Sequence, residues 1–526
     1  MNLNRKLWWA QHKSNVYKYG TILSLVLIVT ISIIYFTYSK FSSRNEATAY
    51  ETTVEPFIKN DYFIASYING EWSDSIPGKN DGYEVDKVVC DNGATGTWDN
   101  TDWGINIRNA TKKTKCSVYF VPPKYTDNVI AEAPELAQGM IPVKFDASGN
   151  AVVADTNSKW YDYETHEWAN AVLVNCADSA IKSKYFDSNN KVLASAVGKT
   201  ISMDEIMQMY VYIPRYKYQL FNAEDGTSNP QAINITFESK TTAKSTGTKN
   251  GEWLTHPAFT FGDKELAGIW VGKFETSNTS ELPKIVPNVS SLRSMTVSAQ
   301  FNTSRLMTTT LASTYGTSTN DDSHMMKNME WGAVAYLSSS VYGRYTNAST
   351  CIESGCEVWI NNNSSYTTGC AGSSVSASSA STCNAWNTAT GVNASTTGNI
   401  YGIYDMSGGA WEYVMGNYND TIKNAGFSSM PEAKYYDKYT GTDSKSDFTK
   451  YHLGDATKET LKTKSTEQNA WYQDYSYSVY SSGPWVVRGG SCFNGTGAGV
   501  FYFDRNDGNS YSNGSFRVAL GALLQP

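Results

Sequence analysis

Apolar and polar positions are unevenly patterned along this chain, and the changes of pattern divide it. Residues 21–38, TILSLVLIVTISIIYFTY, are uncharged and almost wholly apolar or hydroxylic. At a helical rise of about 1.5 Å per residue, a run of this length spans a hydrocarbon core of about 30 Å. The pattern therefore predicts a transmembrane helix over 21–38. Residues 56–121 read as a small all-β domain. Within them GYEVDKVVC and INIRNATKKTKCSVYF have strand-like composition with partial alternation, and Gly, Asn and Asp turns lie between. VPPKY (121–125) breaks the pattern and reads as a linker. IWVGKFET (269–276) is a candidate strand. MMKNMEWGAVAYLSSSVYG (325–343) has helical spacing, with Met329, Ala333, Tyr336 and Leu337 on one face. Residues 361–399, rich in Ser, Thr, Asn and Ala, read as a long irregular loop. The sequence has no long internal repeat. The expected organisation is a cytoplasmic terminus (1–20), the span (21–38), a polar stalk (39–55), the small β domain (56–121) and a large domain (126–521).

Charge orients the span. Arg5, Lys6, Lys13 and Lys18 precede it, and only Lys40 and Arg44 follow before acidic sequence. The positive-inside bias places the N-terminus in the cytoplasm and the bulk outside, as a single-pass membrane protein. A cleaved signal peptide is the alternative, but no clear small-x-small site follows the run. The 526-residue chain is 40% hydrophobic and 18% charged, which is globular rather than disordered. Its net charge of −7, with no Lys/Arg-rich run beyond the N-terminus, argues against nucleic acid as a partner. Tyr (36) and Trp (15) are abundant alongside Ser, Gly and Asn. That composition suits a recognition surface, and equally a β-rich fold that uses Tyr in its strands.

Eight cysteines are present: Cys90, Cys116, Cys176, Cys351, Cys356, Cys370, Cys383 and Cys492. None forms a CxxC pair, so zinc-ribbon and thioredoxin readings are weak. Disulfides are permitted outside a cell. Cys90 and Cys116 end strand-like runs in one short segment and are expected to pair. Cys351–Cys356 and Cys370–Cys383 follow by proximity alone, and Cys176 and Cys492 are left over. The histidines (His12, His166, His256, His324, His452) stand in no HExxH, and no GxSxG occurs. They read as structural or surface residues.

Four stretches occur in a telling order: GIWVGKFETSN (268–278), MKNMEWGAVAYLS (326–338), YGIYDMSGGAWEYV (401–414) and VVRGGS…FRVAL (486–520). Together they resemble the formylglycine-generating-enzyme (sulfatase-modifying factor) family, over roughly residues 200–521. The resemblance implies an α+β, loop-rich elaboration of the C-type lectin fold, and leaves function to be argued from the site. Catalytic members carry two cysteines, at the third and eighth positions beyond the Ser of Arg-Gly-Gly-Ser. Here those positions are Asn494 and Gly499, and Cys492 stands at the wrong offset. Thiol-based oxidation needs accessible thiolates, so the resemblance is to a non-catalytic form. An oxidative enzyme with a rearranged site is the alternative. The resemblance also implies a structural calcium ion held by the Asp405 side chain, the backbone oxygens of Gly408 and Ala410, and the Glu412 carboxylate. Calcium takes about six to eight hard oxygens, and a Gly-rich turn between carboxylates supplies that type. The plainer reading of the same residues is an acidic turn over Trp411.

The segment RGGSCFNGTGAGVFYFDRNDGNSYSNGSFRVAL (488–520) resembles a second group with the same fold and flanks, the variable proteins of diversity-generating retroelements. In these, adenine-specific mutagenesis acts mostly on AAY codons. It yields Asn, Ser, Thr, Tyr, Asp, Gly, Cys, Phe, Arg, His and several apolar residues, and never Lys, Glu, Gln, Trp or Met. The segment contains none of those five, which the rest of the chain uses freely. The expected ligand positions are Ser491, Cys492, Phe493, Asn494, Gly497, Tyr502, Asp504, Arg505, Asn506, Asp507, Asn509, Ser510, Tyr511, Ser512 and Asn513. Trp485, Arg488, Gly489, Gly490, Phe516 and Arg517 would fix the backbone around them. Aromatic anchors and polar contacts would then set specificity. The whole reads as an anchored bacterial surface protein that binds a protein or glycan on another cell, phage or host surface. An invariant adhesion module is the other non-enzymatic reading.

Overall fold

Between Lys115 and Val121 every second side chain is buried: Cys116, Val118 and Phe120 point inward. That period of two is what a strand with one covered face requires. The computed structural model describes residues 63–521 apart from short breaks, the longest being 122–130, 346–355 and 464–469. The chain divides into two compact units, one ending at Val121 and the other beginning at Pro122.

In the first unit Lys115–Val121 is an inner strand of an antiparallel sheet ordered Glu71–Trp72, Phe63–Ile68, Lys115–Val121, Glu84–Cys90. A hairpin, Thr95–Asp99 with Gly104–Arg108, completes it. Trp98 and Trp103 pack on Val118 and Phe120, with the Trp98 and Phe120 rings edge to face at 5.2 Å. So small a core gains from a covalent tie. Cys90 and Cys116 stand opposite each other in neighbouring strands and form the expected disulfide.

The second unit is built on two sheets. One has seven antiparallel strands, in the order Asp322–Met325, Val518–Gly521, Gly268–Gly272, Ile206–Pro214, Asn170–Val174, Ile141–Phe145, Ala151–Val153. Ile206–Pro214 and Gly268–Gly272 are buried at every position. This is why they read as apolar runs rather than alternations. The other sheet runs Asp437–Tyr439, Trp411–Tyr418, Trp485–Gly489, Gly499–Asn506, with Gly514–Phe516 also parallel to Trp411–Tyr418. The helix Asn328–Ser338 touches strands of both sheets and is buried at all eleven positions. The face expected from Met329, Ala333, Tyr336 and Leu337 is thus only part of what it buries. Its entry is closed by Glu330, whose carboxylate accepts from the Lys327 amide at 2.8 Å. Residues 361–399 hold only short elements, clipped by a Cys370–Cys383 disulfide. Cys176 and Cys492 are free and buried. Cys356 is disulfide-bonded, and Cys351 lies outside the described residues.

Two expectations are corrected. The α+β assignment gives way to a mostly β chain. Among the described residues, α-helices longer than one turn are confined to Ser179–Tyr185, Val297–Arg305 and Asn328–Ser338. The reason is that the long apolar runs are double-faced strands, covered on both sides. The single-pass membrane topology is also not supported. No helix among the described residues is long and apolar enough to cross a membrane. Residues 1–55, with the expected terminus, span at 21–38 and stalk, lie outside them.

The Cys90–Cys116 bridge closes a separation of 26 residues, which corresponds to about 3 kcal/mol of stabilisation of the first unit. Replacing both cysteines by Ser in the full chain is expected to speed amide exchange across 84–90 and 115–121. Exchange across 485–506 should not change. Mass-spectrometric hydrogen exchange reads both.

Candidate functional site

The C-terminal segment leaves one sheet and returns in the other. Arg488, in Trp485–Gly489, begins it, and Val518–Gly521 ends it inside the seven-stranded sheet. The exit is a sharp turn with Gly489 at φ 81° and Gly490 at φ 71°, a conformation only glycine adopts without strain. Trp485, Arg488, Phe516 and Arg517 are fully buried. Trp485 donates its indole N–H to the Ile422 carbonyl at 3.0 Å. The framework residues therefore hold the ends of the segment from inside the core.

Between those ends the backbone is tied to elements outside the segment by main-chain hydrogen bonds. The Cys492 amide donates to the Gly409 carbonyl at 2.8 Å, and the Tyr475 amide to the Gly497 carbonyl at 3.0 Å. The Phe503 amide donates to the Tyr475 carbonyl at 3.1 Å, so residues 475–477 cover the outer edge of Gly499–Asn506. In the loop 507–513, the amides of Asn424, Val297, Ser294 and Trp411 donate to the carbonyls of Asp507, Gly508, Tyr511 and Asn513. None of these bonds uses a side chain of the segment.

The side chains divide by depth. Phe493 (60% exposed), Asn494, Asn509, Ser510 and Ser512 face solvent. Gly497, Asp504, Arg505, Asn506, Asp507, Tyr511 and Asn513 are half-buried. Ser491, Cys492 and Tyr502 are buried, which sequence could not separate from the exposed positions. Tyr511 packs on Trp411 at 5.7 Å and donates to Asp507 at 3.0 Å. Asp507 sits below its usual range: burial opposes this, but the Asn509 amide and the Asn424 and Tyr511 side chains outweigh it. Burial, then the Glu275 charge, pushes the Cys492 thiol up to about 11.

Residues with no signal in the segment complete the face. The Phe493 ring meets Tyr366 edge to face at 6.1 Å. Arg293 stacks on Tyr366 at 4.1 Å and donates to the Ser512 carbonyl. Tyr475 packs against Tyr502 at 5.7 Å, and Tyr477 and Tyr480 flank Arg505. The run YSYSVY (475–480) was a usable hint, since spaced tyrosines beside a Ser-Ser-Gly turn are not core-like. Tyr366, in NNNSSYTT, offered none.

Nothing among protein families or curated proteins matches. No family model matches the chain, and no curated protein does. Among solved structures it is similar to Treponema denticola variable protein 1. That likeness has 11% identity and a TM-score of 0.24, covering 61% of this chain and 98% of the other. At that score it carries no argument about this site.

The residues expected to hold calcium are otherwise engaged. The Asp405 carboxylate accepts from Asn361 Nδ2 at 2.8 Å and from the Gly369 amide at 2.9 Å. Glu412 pairs with Arg517 at 2.6 Å. The Ala410 amide donates to Glu275 at 2.9 Å, and the Gly408 amide to the Gly489 carbonyl at 3.1 Å. Among the described residues no three His, Cys, Asp or Glu side chains are placed to hold a metal ion. Of the expected calcium ligands, the Asp405 and Glu412 carboxylates thus already take donors from within the protein. They form a buried polar junction, to which the sequence reading did not assign Glu275. Burial, then the charges of Asp405 and Glu412, pushes Glu275 well above its usual range. Burial pushes Glu412 up to about 7 against the pull of Arg517, and raises Asp405 as well.

Two of the histidines are buried and hydrogen-bonded. His256 is held near pKa 3 by burial and bonds the Gly454 carbonyl at 2.9 Å. His324 lies buried between Asp322 (3.2 Å) and Glu330 (2.9 Å). Against the cost of burial, those carboxylates raise it to about 9.

Two predictions follow from this geometry. Carboxyls with raised folded-state pKa values stabilise fully below their unfolded values and lose that contribution as pH rises through the folded ones. The junction therefore loses stability from about pH 4.5 to 7, the interval over which Glu412 shifts. Glu275→Gln removes one of the like charges and keeps an acceptor for Ala410, so its Tm should fall less than the parent's between pH 5 and pH 8. Within the segment, tolerance should track depth. Ser510→Ala and Ser512→Ala are expected to stay within about 0.5 kcal/mol of the parent. Gly499→Ala, whose Cβ would overlap the Asp474 carboxylate, should cost more than about 2 kcal/mol by denaturant unfolding.

Proposed function

We propose that this protein is a ligand-binding protein whose recognition face is the segment 491–513, diversified at its side chains by a retroelement. Its partner is a protein or a glycan on another cell, phage or host surface. One observation carries the reading: the backbone of the segment is held by main-chain bonds from elements outside it, while Phe493, Asn494, Asn509, Ser510 and Ser512 in its loops face solvent. Substitution at such positions changes the face and leaves its frame in place. The composition of 488–520 supports it, since all five residue types that AAY mutagenesis cannot make are missing there. The four ordered motifs support a relation to the non-catalytic form of the formylglycine-generating family.

The role is binding rather than catalysis. Of the two positions where that family's thiols would stand, Gly499 has no room for any side chain beside Asp474. The free thiol within the segment, Cys492, is buried and protonated at neutral pH, and a buried thiol of raised pKa is a poor nucleophile.

Sequencing the DNA around the gene tests the reading. The expected finding is a reverse transcriptase gene and a near-copy of the stretch encoding 488–520 that differs mainly at adenines. Codon changes should fall on the solvent-facing and half-buried positions and spare Gly499 and Gly508. A neighbourhood with no such copy, together with relatives identical through 491–513, would refute diversification.

A further inference from the structure

The Arg505 side chain lies in a groove rather than in open solvent. Its guanidinium carbon is 3.3 Å from the centre of the Tyr477 ring and 5.3 Å from that of Tyr480. Gly483 is the floor, where a Cβ would meet Arg505 Cγ at 2.5 Å. Tyr480 and Gly483 are fixed to each other by reciprocal main-chain bonds of 3.2 and 3.1 Å, so wall and floor form one turn. Asp504 stands at the rim and takes the guanidinium at 2.8 Å. The buried Nε of Arg505 has no hydrogen-bond partner. The groove thus offers flat rings and one carboxylate. Those are the features that recognise a planar cation, by stacking and by charge-assisted hydrogen bonding.

Walls and floor come from outside the segment 491–513, and the occupant comes from within it. We infer that the groove between Tyr477, Tyr480 and Gly483 is a binding subsite for a guanidinium, that of an arginine side chain on a partner protein, and that Arg505 fills it in this chain. A smaller residue at 505 empties the groove and frees Asp504 to pair with the incoming cation. The segment then does more than present a surface, because position 505 decides whether the fixed rings of Tyr477 and Tyr480 beside it are open to a ligand. The inference rests on the proposed reading only in taking position 505 as one that changes.

The test uses the full chain and arginine methyl ester as the probe, with binding followed by calorimetry and by chemical-shift titration. Arg505→Ser should bind the probe saturably and at least about tenfold more tightly than the parent, as expected for one desolvated cation–π and carboxylate site. Adding Tyr477→Ala to Arg505→Ser should weaken binding about tenfold again. Lysine methyl ester should bind more weakly than the arginine ester, because it cannot stack as a plane. Arg505→Asn, which leaves a comparably short side chain, serves if the Ser variant loses its fold by circular dichroism. Binding no tighter in Arg505→Ser and Arg505→Asn than in the parent overturns the inference. So does full retention of binding after Tyr477→Ala. The result does not depend on the gene's neighbourhood, so an absent template copy would sink diversification and leave the groove's affinity standing.

Discussion

Arg517 fixes how the two sheets of the larger unit meet. It has no access to water. Its guanidinium donates to the Gly272 carbonyl at 2.8 Å on the seven-stranded sheet, and to Glu412 at 2.6 Å on the other. The Tyr404 carbonyl, at 2.9 Å, brings in the loop between them. Removing one partner of such a buried pair costs about 3–5 kcal/mol, because the other charge is left uncompensated. Lys273 follows the same logic without any carboxylate. Its ammonium is buried among Asn170 Oδ1 and the carbonyls of Ile400 and Gly402, at 2.6–2.9 Å, with the rings of Phe145, Trp386 and Tyr404 around it. A loop-rich unit with few helices is thus tied together by buried cations that collect carbonyls.

That economy explains where variation is tolerated. Carbonyls and amides are the same at every residue except proline's missing N–H, so a segment tied through them is indifferent to most side chains. The loops at 493–497 and 507–513 use such bonds, supplemented by a few of their own side chains, with Asn494 accepting from the Ser491 amide and Asp507 from the Asn509 amide. The exceptions mark closeness of another kind. Gly508 sits at φ 88° against Ala425, Gly514 lies under the Trp411 ring, and Gly499 abuts Asp474. These positions are constrained by neighbours outside the segment, which the amino-acid sequence alone does not reveal.

Sequence revealed the parts with strong periodicity or chemistry. The strand run at 115–121, the strand at 268–272, the helix at 328–338 and the Cys90–Cys116 pair were all legible, since alternation, apolar runs and paired cysteines have direct physical causes. The fold class was not. The runs at 206–214 and 411–418 are buried on both faces and carry no alternation to read. In the candidate site, composition marked the segment as a whole and did not separate the exposed positions 493, 494, 509, 510 and 512 from the buried Ser491, Cys492 and Tyr502. The turn at 405–412 looked like a metal loop because carboxylates beside glycines suit calcium. Only the fold reveals that Asn361 and Arg517, distant in sequence, donate to those carboxylates.

The strand Val518–Gly521 lies in the interior of the seven-stranded sheet, hydrogen-bonded on both sides by Gly268–Gly272 and Asp322–Met325. Those two neighbours cannot close on each other until it arrives. During synthesis the larger unit therefore stays open until the ribosome has read through the whole of 488–517. A frameshift or stop inside that stretch yields a chain without this inner strand. The position of one short strand thus makes closure of the sheet depend on the stretch just before it.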